Sequence, residues 1–232
     1  MISKFNLFCL PHAGGNKYAY RRFVELAPSF VNVIPLEYPG RGERVREAPI
    51  TDAVNLAKLM VSGIKDRLST PYAIYGHSMG TLVGYLMVQE IRCAGYPDPK
   101  FLFFTGSGGP ATRKKDKIRH LMSETEFIAE LRSLGGISDE VLNEPEILEF
   151  YLPIIRADFQ AVETYQHVPF EGLDIPINVV IGREEDVTEE EAGSWQMETK
   201  RPLEFMQFDG NHFFIFQHTD QIMKLITNKI LH

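Results

Sequence analysis

A serine between two glycines carries the clearest chemical signal in the sequence. Gly76-His77-Ser78-Met79-Gly80 matches the Gly-x-Ser-x-Gly pattern, in which a tight turn presents a serine hydroxyl above the edge of a sheet. Glycine at both flanks lets the backbone pass where side chains would collide. We therefore interpret Ser78 as a nucleophile that accepts an acyl group as a covalent ester.

A serine nucleophile needs a histidine that takes its proton, and His212 has the best position for this role. Of the other six histidines, two precede Ser78, two lie in the helical insert between the fourth and fifth strands, and two lie in or near the last predicted helix: His12 and His77, His120 and His167, and His218 and His232. His212 follows the last predicted strand, so it lies at the carboxyl edge of the sheet, where catalytic groups of α/β proteins gather. We predict that His212 is the base.

Three consecutive carboxylates follow the strand that precedes His212 in the chain. They are Glu184, Glu185 and Asp186. A carboxylate is required because it fixes the histidine tautomer and stabilises its cation, and the chain order in elbow hydrolases is serine, acid, histidine. All three residues satisfy that order, and their spacing does not choose between them.

Two backbone N–H groups are expected to bind the oxyanion that forms when the serine attacks a carbonyl. One belongs to the residue after the nucleophile, and the other to a loop after an earlier strand. Met79 follows Ser78, and Ala13 lies in the glycine-rich loop Pro11-His12-Ala13-Gly14-Gly15 after the first strand. We predict an oxyanion hole formed by the N–H groups of Met79 and Ala13.

Short apolar runs alternate with helical patterns, which predicts a mostly parallel central sheet with helices on both faces. The predicted strands are Phe5–Leu10, Val31–Tyr38, Pro71–Tyr75, Phe101–Thr105, Ile177–Ile181 and Leu203–Phe208. The helical patterns between and after them are Tyr18–Ala27, a helix that starts at Thr51, Thr81–Ala94 and Thr219–Leu231.

The alternation stops between the fourth and fifth strands. Residues 113–170 contain two amphipathic helical patterns, Glu124–Leu134 after a capping box at Ser123, and Glu146–Tyr165, which Pro153 should kink or break. We therefore predict a hydrolase core of residues 1–112 and 171–232 and a helical lid insertion of residues 113–170. The apolar stripe of the second helix, with Phe159, is a candidate lining for an acyl channel.

The composition excludes several classes of protein. The 232 residues carry a net charge of -7, which argues against a general affinity for nucleic acid. The two cysteines, Cys9 and Cys93, lack metal-ligand spacing and are expected to be buried thiols. The apolar run at the N-terminus is too short for a signal or membrane segment, so we expect a cytoplasmic protein. We also expect a monomer, and serine chemistry of this kind needs no metal or cofactor.

Five motifs, taken together, resemble a known family. Pro11-His12-Ala13-Gly14-Gly15, Pro39-Gly40-Arg41-Gly42, Gly76-His77-Ser78-Met79-Gly80, Arg156-Ala157-Asp158-Phe159 and Gly210-Asn211-His212-Phe213-Phe214 occur in this order over almost the whole chain. The combination is similar to the type II thioesterases of nonribosomal peptide and polyketide synthesis. The resemblance implies an α/β-hydrolase fold, and it implies that the acid is Asp186, which closes a Gly-x-x-x-Asp loop starting at Gly182.

The resemblance also implies a substrate and a partner. The substrate would be an acyl thioester on the phosphopantetheine arm of an acyl or peptidyl carrier protein domain, and the role would be editing of stalled synthases. A medium-chain fatty-acyl carrier protein thioesterase of fatty-acid synthesis and a general carboxylesterase or lipase are the enzymatic alternatives. A binding module that keeps the fold without activity is the non-enzymatic one.

A local positive surface is needed if an acidic chain is to dock an acidic carrier protein. The densest basic run is Arg113 to Arg119, at the junction of the core and the insertion. Arg41, Arg44 and Arg46 are the next candidates for such a docking surface.

Overall fold

A parallel sheet forms the centre of the protein. The computed structural model describes residues 4–112, 117–136 and 144–232. Within these ranges six strands form one sheet in the order β2-β1-β3-β4-β5-β6, and every neighbouring pair is parallel. The strands are β1 (Phe5–Leu10), β2 (Val31–Pro35), β3 (Tyr72–His77), β4 (Leu102–Thr105), β5 (Ile177–Gly182) and β6 (Glu204–Phe208).

Helices connect the strands, as the alternation predicts. They are α1 (Arg21–Leu26), α2 (Ala53–Ile64), α3 (Met79–Cys93), α4 (Glu124–Leu134), α5 (Pro145–Glu163), α6 (Glu189–Gly193), α7 (Phe214–Gln217) and α8 (Thr219–Leu231). Short 3-10 helices include Lys17–Tyr20, which covers the start of the first predicted helix. The strand order reverses between β1 and β3, and ligands of open α/β sheets bind at such a switch point.

Two apolar layers cover the two faces of the sheet. Alternate residues of β1 point to opposite sides, with Phe8 in one buried cluster and Leu7 in the other. Leu82 of α3 belongs to the first cluster and Ile222 of α8 to the second. The predicted packing of helices on both faces is therefore confirmed.

The two insertion helices differ in how their ends and interiors are formed. Ser123 and Glu126 make the predicted capping box at the start of α4, and Gly135, with φ 73°, ends it. Pro153, which was predicted to kink or break the second helix, does not break it, because α5 runs continuously through it. Pro153 is exposed. Water can therefore satisfy the carbonyl that loses its helical partner.

Helix α5 contributes to two cores. Leu152 and Ile155 pack with Phe127 and Leu131 of α4 in a small cluster of the insertion. Ala161, one turn from the end of the helix, belongs to the main core. The C-terminal half of α5 is therefore anchored on the sheet domain, and its middle carries the packing of the insertion.

The cysteines do not share one environment. Cys9 is buried in β1, as expected, but the expectation that Cys93 is buried is wrong, because this residue is exposed where α3 ends.

Candidate active site

Ser78 sits on a strained turn between β3 and α3. Among the described residues it is the one non-glycine residue with positive φ, at φ 55° and ψ -114°. A Cβ atom on Gly76 would lie 2.4 Å from the carbonyl oxygen of Gly80, and a Cβ on Gly80 would lie 2.2 Å from that of Leu10. Both distances are too short for any side chain, which is the steric reason for the two glycines of the elbow.

Hydrogen bonds hold the strained serine from both sides. Its N–H donates to the carbonyl of Thr105 at 2.8 Å, and its own carbonyl accepts from the N–H and the hydroxyl of Thr81 at 3.1 and 2.7 Å. Strain of this kind persists where surrounding contacts determine the backbone, and it is concentrated at active sites. The local structure is that of a nucleophile elbow.

His212 lies at the same edge of the sheet as Ser78. It follows β6 after Gly210, whose φ of 114° turns the chain back toward the sheet. Its ring lies 4.9 Å, between centroids, from the ring of His77, the residue before Ser78. Its Nδ1 forms a 2.7 Å hydrogen bond with Oε2 of Glu185. The structure therefore joins the predicted base to a carboxylate and places it beside the residue that precedes the predicted nucleophile.

The carboxylate on His212 is Glu185, which corrects the assignment of Asp186. The Glu185 side chain is 1% exposed, and its other oxygen, Oε1, accepts the N–H of Gly182 at 2.6 Å. Asp186 is exposed one residue further along the loop. The Glu185 carboxylate is thus held by two hydrogen bonds and can fix the tautomer of His212. Glu184, like Asp186, is exposed.

Close crossing of two loops explains why Glu185, and not Asp186, contacts His212. A Cβ on Gly182 would lie 2.4 Å from the carbonyl oxygen of Gly210, so glycine is required where the two loops cross. The N–H of Glu184 donates to that same carbonyl at 3.1 Å. The turn after β5 is thus fixed against the loop of His212, and the side chain of Glu185 reaches back to both Gly182 and His212.

Two buried histidines surround His212. Burial is the main cause that lowers the pKa of His12, to about 3, followed by the charges of His212 and Arg41. Burial also lowers the pKa of His77 well below its usual range, again with His212 as a second cause. Both rings are therefore neutral at neutral pH, so a proton on His212 meets no charged histidine beside it. With its pKa lowered to about 3, His12 binds a proton too weakly to take one from Ser78 at neutral pH, so it is unsuited to be the base.

The predicted oxyanion donors occupy suitable elements. Met79 is the first residue of α3, where backbone N–H groups have no partner within the helix. In the loop after β1, the N–H of Gly14 donates to Oδ2 of Asp158 at 2.7 Å and that of Gly15 to the carbonyl of His12 at 3.0 Å. Ala13 supplies the candidate donor of this loop, and its catalytic role stays a prediction.

The search for metal and membrane features covers the described ranges 4–112, 117–136 and 144–232. In these ranges no group of three or more His, Cys, Asp or Glu side chains is arranged to hold a metal ion. No helix of the same ranges is both long and apolar enough to cross a membrane.

Comparison with known proteins decides the family. The profile of the family described as Thioesterase domain matches residues 5–230, nearly the whole chain. The chain belongs to the thioesterase family. It is 30% identical to the gramicidin S biosynthesis protein GrsT of Aneurinibacillus migulanus, over 98% of this chain and 90% of that protein.

Solved thioesterases have the same fold. RedJ, a thioesterase from the prodiginine biosynthetic pathway in Streptomyces coelicolor, matches with a TM-score of 0.91 and 32% identity, over 98% of this chain and 86% of its own. BorB, a type II thioesterase from the borrelidin biosynthetic cluster, matches with 0.90 and 33%, over 99% and 94%. The α/β-hydrolase fold, the thioester hydrolase activity and the likeness to type II thioesterases are thus confirmed.

Phe159 of this thioesterase lies in the small core of the insertion. Its ring packs edge-on against Phe127 with centroids 5.7 Å apart, and the guanidinium of Arg119 lies 5.7 Å from its centroid. The side chain is half-buried. Its role as an acyl-binding residue stays a prediction.

The basic run at the junction is partly balanced by the insertion itself. Lys117 and Arg119 each form a 2.9 Å ion pair with Glu130. Residues 113–116 lie outside the described ranges. The prediction that this run docks a carrier protein therefore depends on the charges of Arg113, Lys114 and Lys115.

The other candidate docking arginines, Arg41, Arg44 and Arg46, do not form one exposed surface. Arg41 is 2% exposed and pairs with Asp158, so its place among the docking candidates is corrected. Arg44 pairs with Glu47, and Arg46 is exposed. Arg46 is the member of this group that is accessible to a partner.

Proposed function

We propose that this thioesterase hydrolyses acyl groups from the phosphopantetheine arm of acyl or peptidyl carrier domains, and so releases groups that stall a nonribosomal peptide or polyketide synthase. It would act as a cytoplasmic monomer with no cofactor beyond the phosphopantetheine that its substrate carries. The observation that carries the proposal is the 2.7 Å hydrogen bond between His212 and the buried Glu185, beside the strained elbow of Ser78. The names of GrsT and BorB support the choice of pathway.

The first half-reaction transfers the acyl group to the enzyme. His212 takes the proton of the Ser78 hydroxyl while the serine oxygen attacks the thioester carbonyl. The N–H groups of Met79 and Ala13 hold the resulting oxyanion. When the C–S bond breaks, the proton on His212 goes to the phosphopantetheine sulfur, and an acyl ester of Ser78 remains.

The second half-reaction releases the acyl group. His212 removes a proton from water, the hydroxide attacks the acyl-Ser78 carbonyl, and the same N–H groups hold the second oxyanion. Collapse of this intermediate returns the proton from His212 to the Ser78 oxygen and frees the carboxylic acid. Glu185 keeps Nδ1 of His212 protonated throughout, so that Nε2 is free to accept the proton.

A panel of carrier proteins loaded with different acyl groups tests the proposal. We expect hydrolysis of acyl-carrier thioesters with a kcat/KM well above that for simple esters of the same acyl groups. A preference for simple esters would instead favour a general carboxylesterase. A strict preference for medium-chain fatty-acyl carrier protein would favour fatty-acid synthesis. Absence of labelling of Ser78 by a fluorophosphonate would favour a binding module without activity.

The insertion, residues 113–170, is proposed to be a lid that also contacts the acyl chain, and Phe159 is the residue that tests this. Phe159→Ala should change the preference among acyl lengths more than it changes the melting temperature. Phe127→Ala is the matched control, because Phe127 is the fully buried ring partner of Phe159 in the same cluster. If both variants lose stability and keep the wild-type length preference, Phe159 serves packing alone.

Charge reversal tests the docking surface. Lys114→Glu with Lys115→Glu should lower kcat/KM for an acyl-carrier substrate, most strongly at low salt, because surface charge acts mainly on the rate of encounter. Hydrolysis of a small acyl thioester should stay near wild type. An unchanged rate on the carrier substrate would move the docking surface elsewhere, and Arg46→Glu is the next variant to measure.

A further inference from the structure

A buried ion pair joins the helical insertion to the loop that carries Ala13. Arg41 follows β2, Asp158 lies on α5, and both side chains are 2% exposed. The guanidinium donates two parallel hydrogen bonds, from Nη1 to Oδ2 at 2.6 Å and from Nη2 to Oδ1 at 2.7 Å. Such a bidentate pair fixes the geometry of both partners more strictly than a single contact does.

The pair also binds the backbone of residues 11–15, which we call the oxyanion loop. Oδ2 of Asp158 accepts the N–H of Gly14 at 2.7 Å, and Nη1 of Arg41 donates to the carbonyl of Gly15 at 3.0 Å. The hydroxyl of Tyr38, from the same segment as Arg41, donates to the carbonyl of Pro11 at 3.2 Å. Three side chains therefore hold the loop before and after Ala13.

These anchors restrict the backbone that carries the N–H of Ala13. The carbonyl of Pro11 is fixed on one side, and the N–H of Gly14 is fixed on the other, so the peptide between His12 and Ala13 is held between them. Gly14 has φ 75°, and a Cβ there would lie 3.0 Å from the side chain of Ile155, also on α5. The helix therefore holds the oxyanion loop by packing as well as by charge.

We propose that Asp158 and Arg41 are positioning residues that hold the oxyanion loop in the conformation needed for catalysis, so that the seating of α5 controls the oxyanion hole. The proposal rests on the proposed function, because it needs an oxyanion at Ala13. Both charges lie away from water, so removing one partner leaves the other buried and unpaired, which is strongly destabilising. If α5 is displaced, the Gly14 N–H loses its acceptor and the loop loses its anchor.

The position of Asp158 separates this role from simple stability. A carboxylate needed only to hold α5 would not have to contact the loop that carries Ala13. Glu163 shows that alternative on the same helix, because it accepts the N–H groups of Arg119 and His120 at 3.0 and 3.1 Å, within the insertion. Glu163 is thus the matched control, a carboxylate of α5 that binds backbone away from the oxyanion loop.

The test compares Asp158→Asn with Glu163→Gln in the full chain. Active sites are counted by complete fluorophosphonate labelling, and kcat and KM per labelled site are measured with an acyl N-acetylcysteamine thioester. Asp158→Asn should lower kcat by about 100-fold with little change in KM, the size expected for small misplacement of catalytic groups. Glu163→Gln should stay within about threefold of wild type in kcat.

Affinity for a boronic acid gives a second readout, because its tetrahedral adduct with Ser78 places an oxygen in the oxyanion hole. Asp158→Asn should weaken this inhibitor by a factor similar to its loss in kcat. Tyr38→Phe, which removes the Pro11 anchor and keeps the ring, should lower kcat roughly tenfold, and it keeps the proposal testable if Asp158→Asn does not fold.

The outcomes distinguish the two proposals. Asp158→Asn or Tyr38→Phe could have fewer labelled sites but keep wild-type kcat and wild-type inhibitor affinity per labelled site. Either result would overturn the positioning role. Equal losses in Asp158→Asn and Glu163→Gln would do the same, because they would indicate damage to the helix. Failure of the wild-type protein to hydrolyse any thioester would instead overturn the proposed function.

Discussion

Two loops at the same sheet edge carry the serine and its acid, and they are fixed by different kinds of constraint. The elbow around Ser78 is fixed locally, because Gly76 and Gly80 leave no space for a Cβ within a five-residue motif. The acid loop is fixed by its crossing with the loop of His212, about 27 residues later in the chain. A local constraint is visible in a short motif, whereas a tertiary crossing is not.

That difference explains why the nucleophile is identified from its own residues and the acid is not. Glu184, Glu185 and Asp186 all follow β5 and all precede His212 in the required order. Only the folded loop shows that Glu185 turns inward, with one oxygen on Gly182 and the other on His212. Substitutions in the elbow and in the acid loop should therefore lower kcat by different factors and for different reasons.

The largest effect is expected at the elbow. Ser78→Ala removes the atom that accepts the acyl group, so kcat should fall by a factor on the order of 10⁶, as in serine hydrolases that lose their nucleophile. The fold should persist, since the hydrogen bonds of the Ser78 backbone to Thr105 and Thr81 do not depend on its hydroxyl. The melting temperature is the control. Thioester hydrolysis at the wild-type rate would remove Ser78 from the reaction.

The next largest effect is expected in the acid loop. Glu185→Gln keeps the shape of the side chain but removes the charge that stabilises the His212 cation and selects its tautomer, so kcat should fall by about 10⁴-fold. Single-turnover hydrolysis of an acyl-carrier substrate measures the loss.

Asp186→Asn is the matched control for the acid. This side chain is exposed, so the substitution should leave kcat within about twofold and stability within about 0.5 kcal/mol of wild type. The reverse result, with a severe Asp186→Asn and a mild Glu185→Gln, would show that the loop rearranges when substrate binds and that the resemblance chose the acid correctly.

A third variant measures how far the acid must reach. Glu185→Asp keeps the charge but shortens the side chain by one methylene, so it should lose contact with either Gly182 or His212. We expect kcat to fall about 10- to 100-fold, less than for Glu185→Gln, because a misplaced carboxylate still stabilises the cation in part. A crystal structure of the variant would show which contact is kept, and wild-type activity would show that the length of Glu185 is not needed.

Much of the fold follows from patterns within single segments. Phe5–Leu10 and Thr219–Leu231 have the predicted bounds, because continuous apolar runs and 3.6-residue periodicity are local properties. β2 ends at Pro35 rather than Tyr38, where the chain leaves the sheet edge although apolar residues continue. The pattern predicts a kink or a break at Pro153, and α5 is not broken there, because the residue is exposed to solvent.

The site was predictable to the extent that its residues sit in motifs. Ser78 directly follows β3 and His212 lies in the loop after β6, so their positions at the carboxyl edge of the sheet could be predicted from their segments. The Arg41–Asp158 pair was missed as a contact, although both residues lie in motifs of the family, because 117 positions separate them in the chain. The sequence places Arg41 among the surface charges, since sequence position alone does not distinguish a buried arginine from an exposed one.

The smallest expected effect concerns His77, the buried histidine beside Ser78 in the elbow. The acid loop differs because it holds a carboxylate at this place. Burial lowers the pKa of His77 well below its ordinary value of about 6.5, while its Nδ1 stays near the carbonyl of Thr105 at 3.2 Å. Below that ordinary pKa the unfolded chain binds a proton that the folded chain does not, so stability falls as the pH falls, by up to about 1.4 kcal/mol per pH unit.

His77→Asn keeps a donor for Thr105 and removes the titrating group. Denaturant unfolding at pH 7 and pH 5.5 should therefore show a smaller acid loss for the variant than for the wild type. Equal losses would mean that His77 is protonated in the folded protein and that the elbow side of the site is not held neutral.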